Sequence, residues 1–197
     1  MPITPLHYPL AWGLSKTSRK LSLPALVVGS VIPDIECVVL WLFFRGVLPD
    51  HLVLHSLIGG LTLGTFIAVV VTVTLYTPII SGIFKVDKGK LKEVCKFTPT
   101  LVASCFLGVV SHLLIDYTHH WYNPILWPWI DPYVFVGPLA AFFAFDGNLI
   151  ETGYPIAQLL VHSIMIVFWL AILSKYRNRD LWDNIWIGNS NNPDIVN

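Results

Sequence analysis

Four long apolar stretches, separated by polar connections, dominate the pattern of this chain. A helix needs about 20 consecutive apolar residues to cross the hydrocarbon core of a bilayer. Stretches of that length run from Leu21 to Phe44, Leu52 to Tyr76, Thr98 to Tyr117 and Pro155 to Ser174. The pattern therefore predicts four transmembrane helices.

The remaining segments complete a predicted all-α fold, an integral membrane helical bundle. The apolar stretch from Val134 to Phe145 is too short to span upright, so it is predicted to be a short re-entrant or interfacial helical segment. Pro33, Asp34 and Glu36 interrupt the first span. Residues 1–180 are predicted to form a single membrane-embedded helical domain, and residues 181–197 a polar C-terminal tail.

Composition agrees with a multi-pass membrane protein. The chain is 55% hydrophobic and 12% charged, whereas a soluble domain is nearer a quarter charged. The formal net charge is zero, so no nucleic-acid partner is expected. Three cysteines without a C-x-x-C pair argue against a disulfide framework.

Basic residues orient the four spans. Eleven of the twelve Lys and Arg residues fall on one side, and only Arg45 falls on the other. The eleven are Lys16, Arg19, Lys20, Lys85, Lys88, Lys90, Lys92, Lys96, Lys175, Arg177 and Arg179. The positive-inside rule makes their side cytoplasmic, which predicts a cell-membrane protein with both termini in the cytoplasm.

The segment Ser111–His120, SHLLIDYTHH, is the main candidate for chemistry. His112 and Asp116 are four residues apart, so on a helix they share one face. Ionisable groups inside a membrane need a partner and indicate a functional site. A metal ion would satisfy this pair; a metal-free, hydrogen-bonded pair is the alternative.

Two further polar residues are predicted at a similar depth. Asp34 follows Pro33 and is predicted to cap the half-helix after it, a role compatible with metal binding. His55 is predicted one turn inside the outer end of the second span, where it binds either the metal or a neighbouring carbonyl. With His112 and Asp116, these groups share the middle-to-outer half of the membrane.

The other histidines are weaker candidates. His51 is expected at the rim, and His162 in a helix–helix contact. Of the interfacial pair, His119 is favoured over His120. His7 precedes the cytoplasmic Lys and Arg cluster, so it can reach Asp34 only if its segment dips back into the bilayer.

Nitrogen and carboxylate oxygen donors suit a divalent metal ion. Zinc is the first choice, with manganese and non-haem iron as alternatives. A catalytic site keeps one coordination position open for water, which the metal activates as a nucleophile.

Four motifs resemble the LexA-regulated, membrane-bound metal-dependent hydrolase family and a related uncharacterised prokaryotic membrane family. They are TPLH, GSVIPDIE, LHSLIGG and GVVSHLLIDYTHH, in that order over the first two-thirds of the chain. The resemblance implies His7, Asp34, His55, His112 and Asp116 as metal ligands, and it also matches His119. The chain departs from the pattern at Glu36, where a second aspartate is frequent, and at His51, which stands where the pattern has an H-R-G stretch before the HS pair of His55 and Ser56.

The preferred interpretation is a metal-dependent hydrolase of a lipid or of an extracytoplasmic ester or phosphoester. Asp116, Glu36 and His119 are the candidates for catalytic or supporting roles. The expected partners are membrane lipids, and either a membrane-protein complex or further copies of the chain. The alternatives are a non-catalytic accessory subunit with a structural His/Asp site and a small transport protein that handles metal ions or protons.

Overall fold

The structure is a computed structural model that describes residues 4–177 and 181–188. Its secondary structure is helical, and no strand occurs in these two ranges. Four helices are long and apolar enough to cross a membrane: Leu23–Phe44, Leu57–Phe84, Pro99–His119 and Leu149–Tyr176, here called spans one to four. The predicted all-α, four-span membrane bundle is confirmed.

Spans two and four start or end away from the predicted positions, and span four begins at Leu149 rather than Pro155. Span two begins at Leu57 rather than Leu52, because the preceding residues form a non-helical loop. It also continues to Phe84, beyond the predicted end at Tyr76. The helix passes Pro78, which lacks an N–H, after widening into a π-helical turn over Thr72–Tyr76.

Span one is built from two helices, Leu23–Gly29 and Ile32–Phe44. The prediction that Asp34 caps the second helix is wrong. That helix begins at Ile32, with Val31 before it, and Asp34 lies within its first turn. Pro33 is tolerated in the first turn, where the backbone N–H has no helical acceptor.

Shorter helices surround the spans. They are Thr4–His7, Tyr8–Thr17, Lys88–Val94, Pro132–Val134, Pro138–Phe142, Phe145–Gly147 and Leu181–Trp186. Three of them fill the region where a short re-entrant or interfacial segment is predicted.

Basic side chains from distant parts of the sequence meet at one end of the bundle. Lys16 and Lys175 both lie over the ring of Trp12, and Lys90 Nζ is 3.1 Å from Asp183 Oδ2. The helix Leu181–Trp186 packs here through its buried Ile185, so the first part of the predicted tail contacts the bundle. Arg179 and residues 189–197 of that tail lie outside the described residues.

Two glycines, Gly29 and Gly108, bring spans one and three into close contact. A Cβ atom on Gly29 would collide with the Cys105 carbonyl. One on Gly108 would collide with the Leu26 carbonyl and lie 2.9 Å from Gly29 Cα. The two backbones are therefore in direct contact, as small residues allow in membrane helices.

Gly108→Ala is expected to destabilise the protein by about 1–3 kcal/mol, the usual cost of overpacking a tight core. The measurement is thermal unfolding of the purified protein in detergent. Gly82→Ala is the matched control, because the space beside Gly82 is open and alanine favours a helix. Equal melting temperatures for the two variants would contradict the close contact.

Candidate metal centre

Four acidic and imidazole side chains converge in the interior of the bundle. They are Asp34, His55, His112 and Asp116, and each is at most 5% exposed. Span three supplies His112 and Asp116 from one face, one helical turn apart. Span one supplies Asp34 from the first turn after its break. The loop before span two supplies His55.

The prediction that His55 lies within span two is wrong, although the residue does reach the cluster. His55 is non-helical and directly precedes Ser56, whose Oγ caps the helix by accepting the Gly59 N–H. The loop departs from a helix because the Glu36 carboxylate accepts the backbone N–H groups of Leu52, Val53 and Leu54. Those bonds satisfy backbone groups that a helix would otherwise pair.

The spacing of the four donors suits one metal ion. His112 Nε2 lies 3.2 Å from His55 Nε2, 3.2 Å from Asp116 Oδ2 and 3.6 Å from Asp34 Oδ1. His55 Nε2 lies 3.6 Å from Asp116 Oδ2. Ligands about 2.1 Å from a tetrahedral zinc ion are about 3.4 Å from one another. These residues could therefore hold a metal ion with little rearrangement.

A backbone carbonyl fixes the tautomer of His112. His112 Nδ1 lies 2.8 Å from the Ser30 carbonyl, which can only accept, so Nδ1 carries a proton. That carbonyl is available because the helix breaks there: the Asp34 N–H, its regular helical partner, bonds to the Val31 carbonyl instead. In the neutral ring, Nε2 therefore carries the lone pair, and Nε2 is the nitrogen that faces the cluster.

A carboxylate, that of Glu36, fixes the tautomer of His55. His55 Nδ1 lies 3.0 Å from Glu36 Oε2, so the imidazole N–H donates to the carboxylate. Both Glu36 oxygens are already engaged by the loop amides. This arrangement orients a metal-binding histidine and leaves Glu36 poorly placed to act as a general base.

Nε2 of His55 and Nε2 of His112 lie 3.2 Å apart, so two neutral rings would direct nitrogen lone pairs at each other. The carboxylate oxygens of Asp116 share this space and have no hydrogen-bond partner. Lone pairs and negative charge repel unless a cation lies between them. Either a proton or a metal ion must therefore lie between these groups. The mixed nitrogen and oxygen donor set is one that divalent metals use.

His7 reaches the same cluster from the N-terminal segment. Its Nε2 lies 4.0 Å from Asp34 Oδ2 and 4.0 Å from Asp116 Oδ1, and its ring stacks on His112. The segment therefore does return into the interior of the bundle. Burial lowers the pKa of His7 to about 3, so its ring is neutral at pH 7.

His119 lies beside this cluster. Its Nδ1 is 2.8 Å from the Ile115 carbonyl, and its buried Nε2 has no hydrogen-bond partner. His119 therefore has one nitrogen available for a supporting role. His162 lies apart from the four donors, on span four, near His7 and apolar side chains.

Two histidines that the sequence interpretation discounted are also buried here. His51, expected at the rim, is 5% exposed and forms a group with Asp116 and His120. The spacing of His120 could have revealed it, since it is four residues after Asp116 on the same helical face. His51 lies in the loop, where side chains follow no period that a sequence pattern could detect.

Residues 1–178 match a protein family described as a domain of unknown function (DUF4184), and the chain belongs to this family. A search of the curated proteins and a search of the solved structures each found no match.

Asp116→Asn is expected to weaken divalent-metal binding at least about 100-fold, because it removes the charged donor at the centre of the cluster. Metal content and affinity are measured on protein extracted in mild detergent. His162→Gln, which changes a histidine outside the four donors, is expected to match the unaltered protein. Equal metal content in both variants would contradict the site.

Glu36→Gln is expected to weaken metal binding about 10–100-fold, as loss of a carboxylate that orients a ligand does. The side-chain NH₂ group of glutamine would face some of the N–H groups from which the Glu36 carboxylate now accepts hydrogen bonds. Glu93→Gln, at the surface, is the control. Unchanged metal affinity in Glu36→Gln would contradict this orienting role.

Proposed function

We propose that this chain is a membrane-embedded, metal-dependent hydrolase of a lipid or of an extracytoplasmic ester or phosphoester. The observation that carries the proposal is the 3.2 Å approach of the His55 and His112 Nε2 atoms, with two carboxylates at metal-ligand spacing. Zinc is the preferred ion, and manganese and iron are the alternatives.

The reaction class is supported by the resemblance of four sequence motifs to the LexA-regulated membrane-bound hydrolases. Their His and Asp positions, including His7, coincide with the donors that converge in the bundle. A divalent ion bound there would lower the pKa of water and so supply a nucleophile at neutral pH. Membership in a family of unknown function is compatible with this activity.

The protein's own residues would prepare and hold that ion. Ser30 and Glu36 hold the rings of His112 and His55 in the ligating tautomer. Asp34 and Asp116 supply negative charge. His119, whose Nε2 faces the protein interior without a partner, is the candidate to take up or return a proton.

The proposed location is the cell membrane, with both termini in the cytoplasm. The meeting of Lys16, Lys90 and Lys175 near one end of the bundle supports that orientation. Membrane lipids are the proposed partners, either alone or together with further copies of the chain or another membrane protein. Nucleic acid is not a proposed partner.

A structural metal site in an accessory subunit is the second candidate. Deep burial favours it, because all four donors are at most 5% exposed and Asp34, His55, His112 and Asp116 could complete a tetrahedral shell. Structural zinc sites are closed in this way, whereas catalytic sites leave a position for water.

Hydrolysis separates the two candidates. The full chain in lipid vesicles is assayed with bis(p-nitrophenyl) phosphate, p-nitrophenyl acetate and a phospholipid. Removing metal with a chelator is expected to lower the rate at least about 100-fold, and added Zn²⁺ to restore it. Asp116→Asn is expected to be equally inactive, and His162→Gln fully active.

Bound metal without hydrolysis of any of the three probes would favour the structural site. Hydrolysis that persists in the metal-free protein and in Asp116→Asn would contradict a metal-dependent mechanism.

A further inference from the structure

A second group of buried donors lies against the first. It consists of His51, Asp116 and His120, whose nearest donor atoms are within 4.8 Å of one another. His51 is 5% exposed and His120 is 3% exposed, and Nε2 of each ring has no hydrogen-bond partner. Two buried imidazoles thus carry unused nitrogens beside a carboxylate. Such groups are costly unless a proton or a cation binds them.

We propose that His51, His120 and Asp116 bind a second divalent cation, that Asp116 bridges the two ions, and that the second ion takes a phosphoryl oxygen of a phosphoester. This inference rests on the proposed metal centre and names its substrate class.

The position of Asp116 between the two groups supports the bridge. Its Oδ2 is 3.2 Å from His112 Nε2 on one side and 3.9 Å from His120 Nε2 on the other. The ring of His51 is 4.2 Å from that of His55 and 4.7 Å from that of His120, between centroids. Carboxylate-bridged ions in hydrolytic enzymes are about 3.5–4 Å apart, a separation that adjoining groups of this size allow.

The two groups offer different numbers of donors. The first has Asp34, His55, His112 and Asp116, which can complete a tetrahedral shell. The second has three donors and therefore leaves a coordination position for water or substrate. The four donors of the first group leave no position for the water that hydrolysis requires. An ion in the second group would supply that position.

Formal charge favours an anionic substrate only when both ions are bound. Asp34, Asp116 and Glu36 are the carboxylates at the two groups. One divalent ion leaves this set with a formal charge of −1, whereas two ions leave it at +1. A phosphodiester anion would be repelled by the first arrangement and attracted by the second.

Aromatic side chains connect the second group to a cleft on the protein surface. The Tyr122 hydroxyl is 3.1 Å from His51 Nδ1, so this tyrosine can orient the ring. The Tyr122 ring contacts those of Trp121 and Tyr133, which line a cleft of about 600 Å³. Tyr122 and these two cleft-lining rings thus connect the second group to the cleft.

A competing group of Cys37, His51 and His55 shares two histidines with these sites. Binding an ion there would draw His55 away from either Glu36 or the first group, because its two nitrogens already face those partners. The group with Asp116 and His120 requires no such loss.

Cobalt(II) loading tests the proposal on the full chain in detergent. The unaltered protein is expected to bind two Co²⁺ ions per chain, with an electron paramagnetic resonance signal showing magnetic coupling between them. His51→Gln and His120→Gln are each expected to bind one ion without coupling. They are also expected to hydrolyse bis(p-nitrophenyl) phosphate at least about tenfold more slowly. His162→Gln is the control and is expected to retain both ions and the activity.

One Co²⁺ per unaltered chain, or two uncoupled ions, would overturn the bridged second site while leaving the first intact. No bound Co²⁺ in the unaltered protein would overturn the proposed metal centre as a whole. Coupled ions that persist in both histidine variants would show that other residues bind the second ion. Undiminished phosphodiester hydrolysis in a variant with one ion would overturn the assigned substrate role. The measurements on unaltered protein remain decisive if a variant fails to fold.

Discussion

The close approach of two imidazole Nε2 atoms is the constraint on which the interior of this protein depends. Nε2 of His55 and Nε2 of His112 lie 3.2 Å apart because the Nδ1–H group of each ring is held by an acceptor on span one. Those acceptors, Glu36 and the Ser30 carbonyl, both lie on span one, on either side of Asp34. The break at Ser30 and Val31 leaves the Ser30 carbonyl available, and the helix that follows carries both carboxylates. One irregular segment thus accepts the Nδ1–H groups of both histidines and contributes one donor of its own, Asp34.

A non-helical loop at membrane depth is possible only when its backbone is satisfied by protein. Glu36 meets this requirement by accepting three consecutive loop N–H groups as well as the His55 ring. In return, these donors stabilise a buried carboxylate, which would be costly if unpaired. The loop and the carboxylate therefore depend on each other. A shorter acidic side chain at position 36 would reach fewer of these donors, which gives a physical reason for glutamate at this position.

The sequence predicted the parts of this structure that follow a period or a length. Four apolar stretches gave the spans, and a spacing of four residues placed His112 and Asp116 on one helical face. It could not place His55, because the capture of the loop by Glu36 is a tertiary interaction with no local pattern. His51 was missed for the same reason. His7 was in doubt because the direction of a short N-terminal helix depends on packing against spans one and four, not on its composition.

Two helical paths from the basic end locate the donors within the bilayer. Nine residues separate His7 from Lys16, and at 1.5 Å per residue that helix covers about 14 Å. Thirteen residues separate Pro99 from His112, which gives about 20 Å along span three. A hydrocarbon core is about 30 Å thick, so the donors lie near its middle or beyond it, counted from the basic end. The route to them is then shorter from the opposite end, where His120 and the aromatic residues after it cover the cluster. The buried side chains of His51 and Tyr122, which contact each other, form part of that cover.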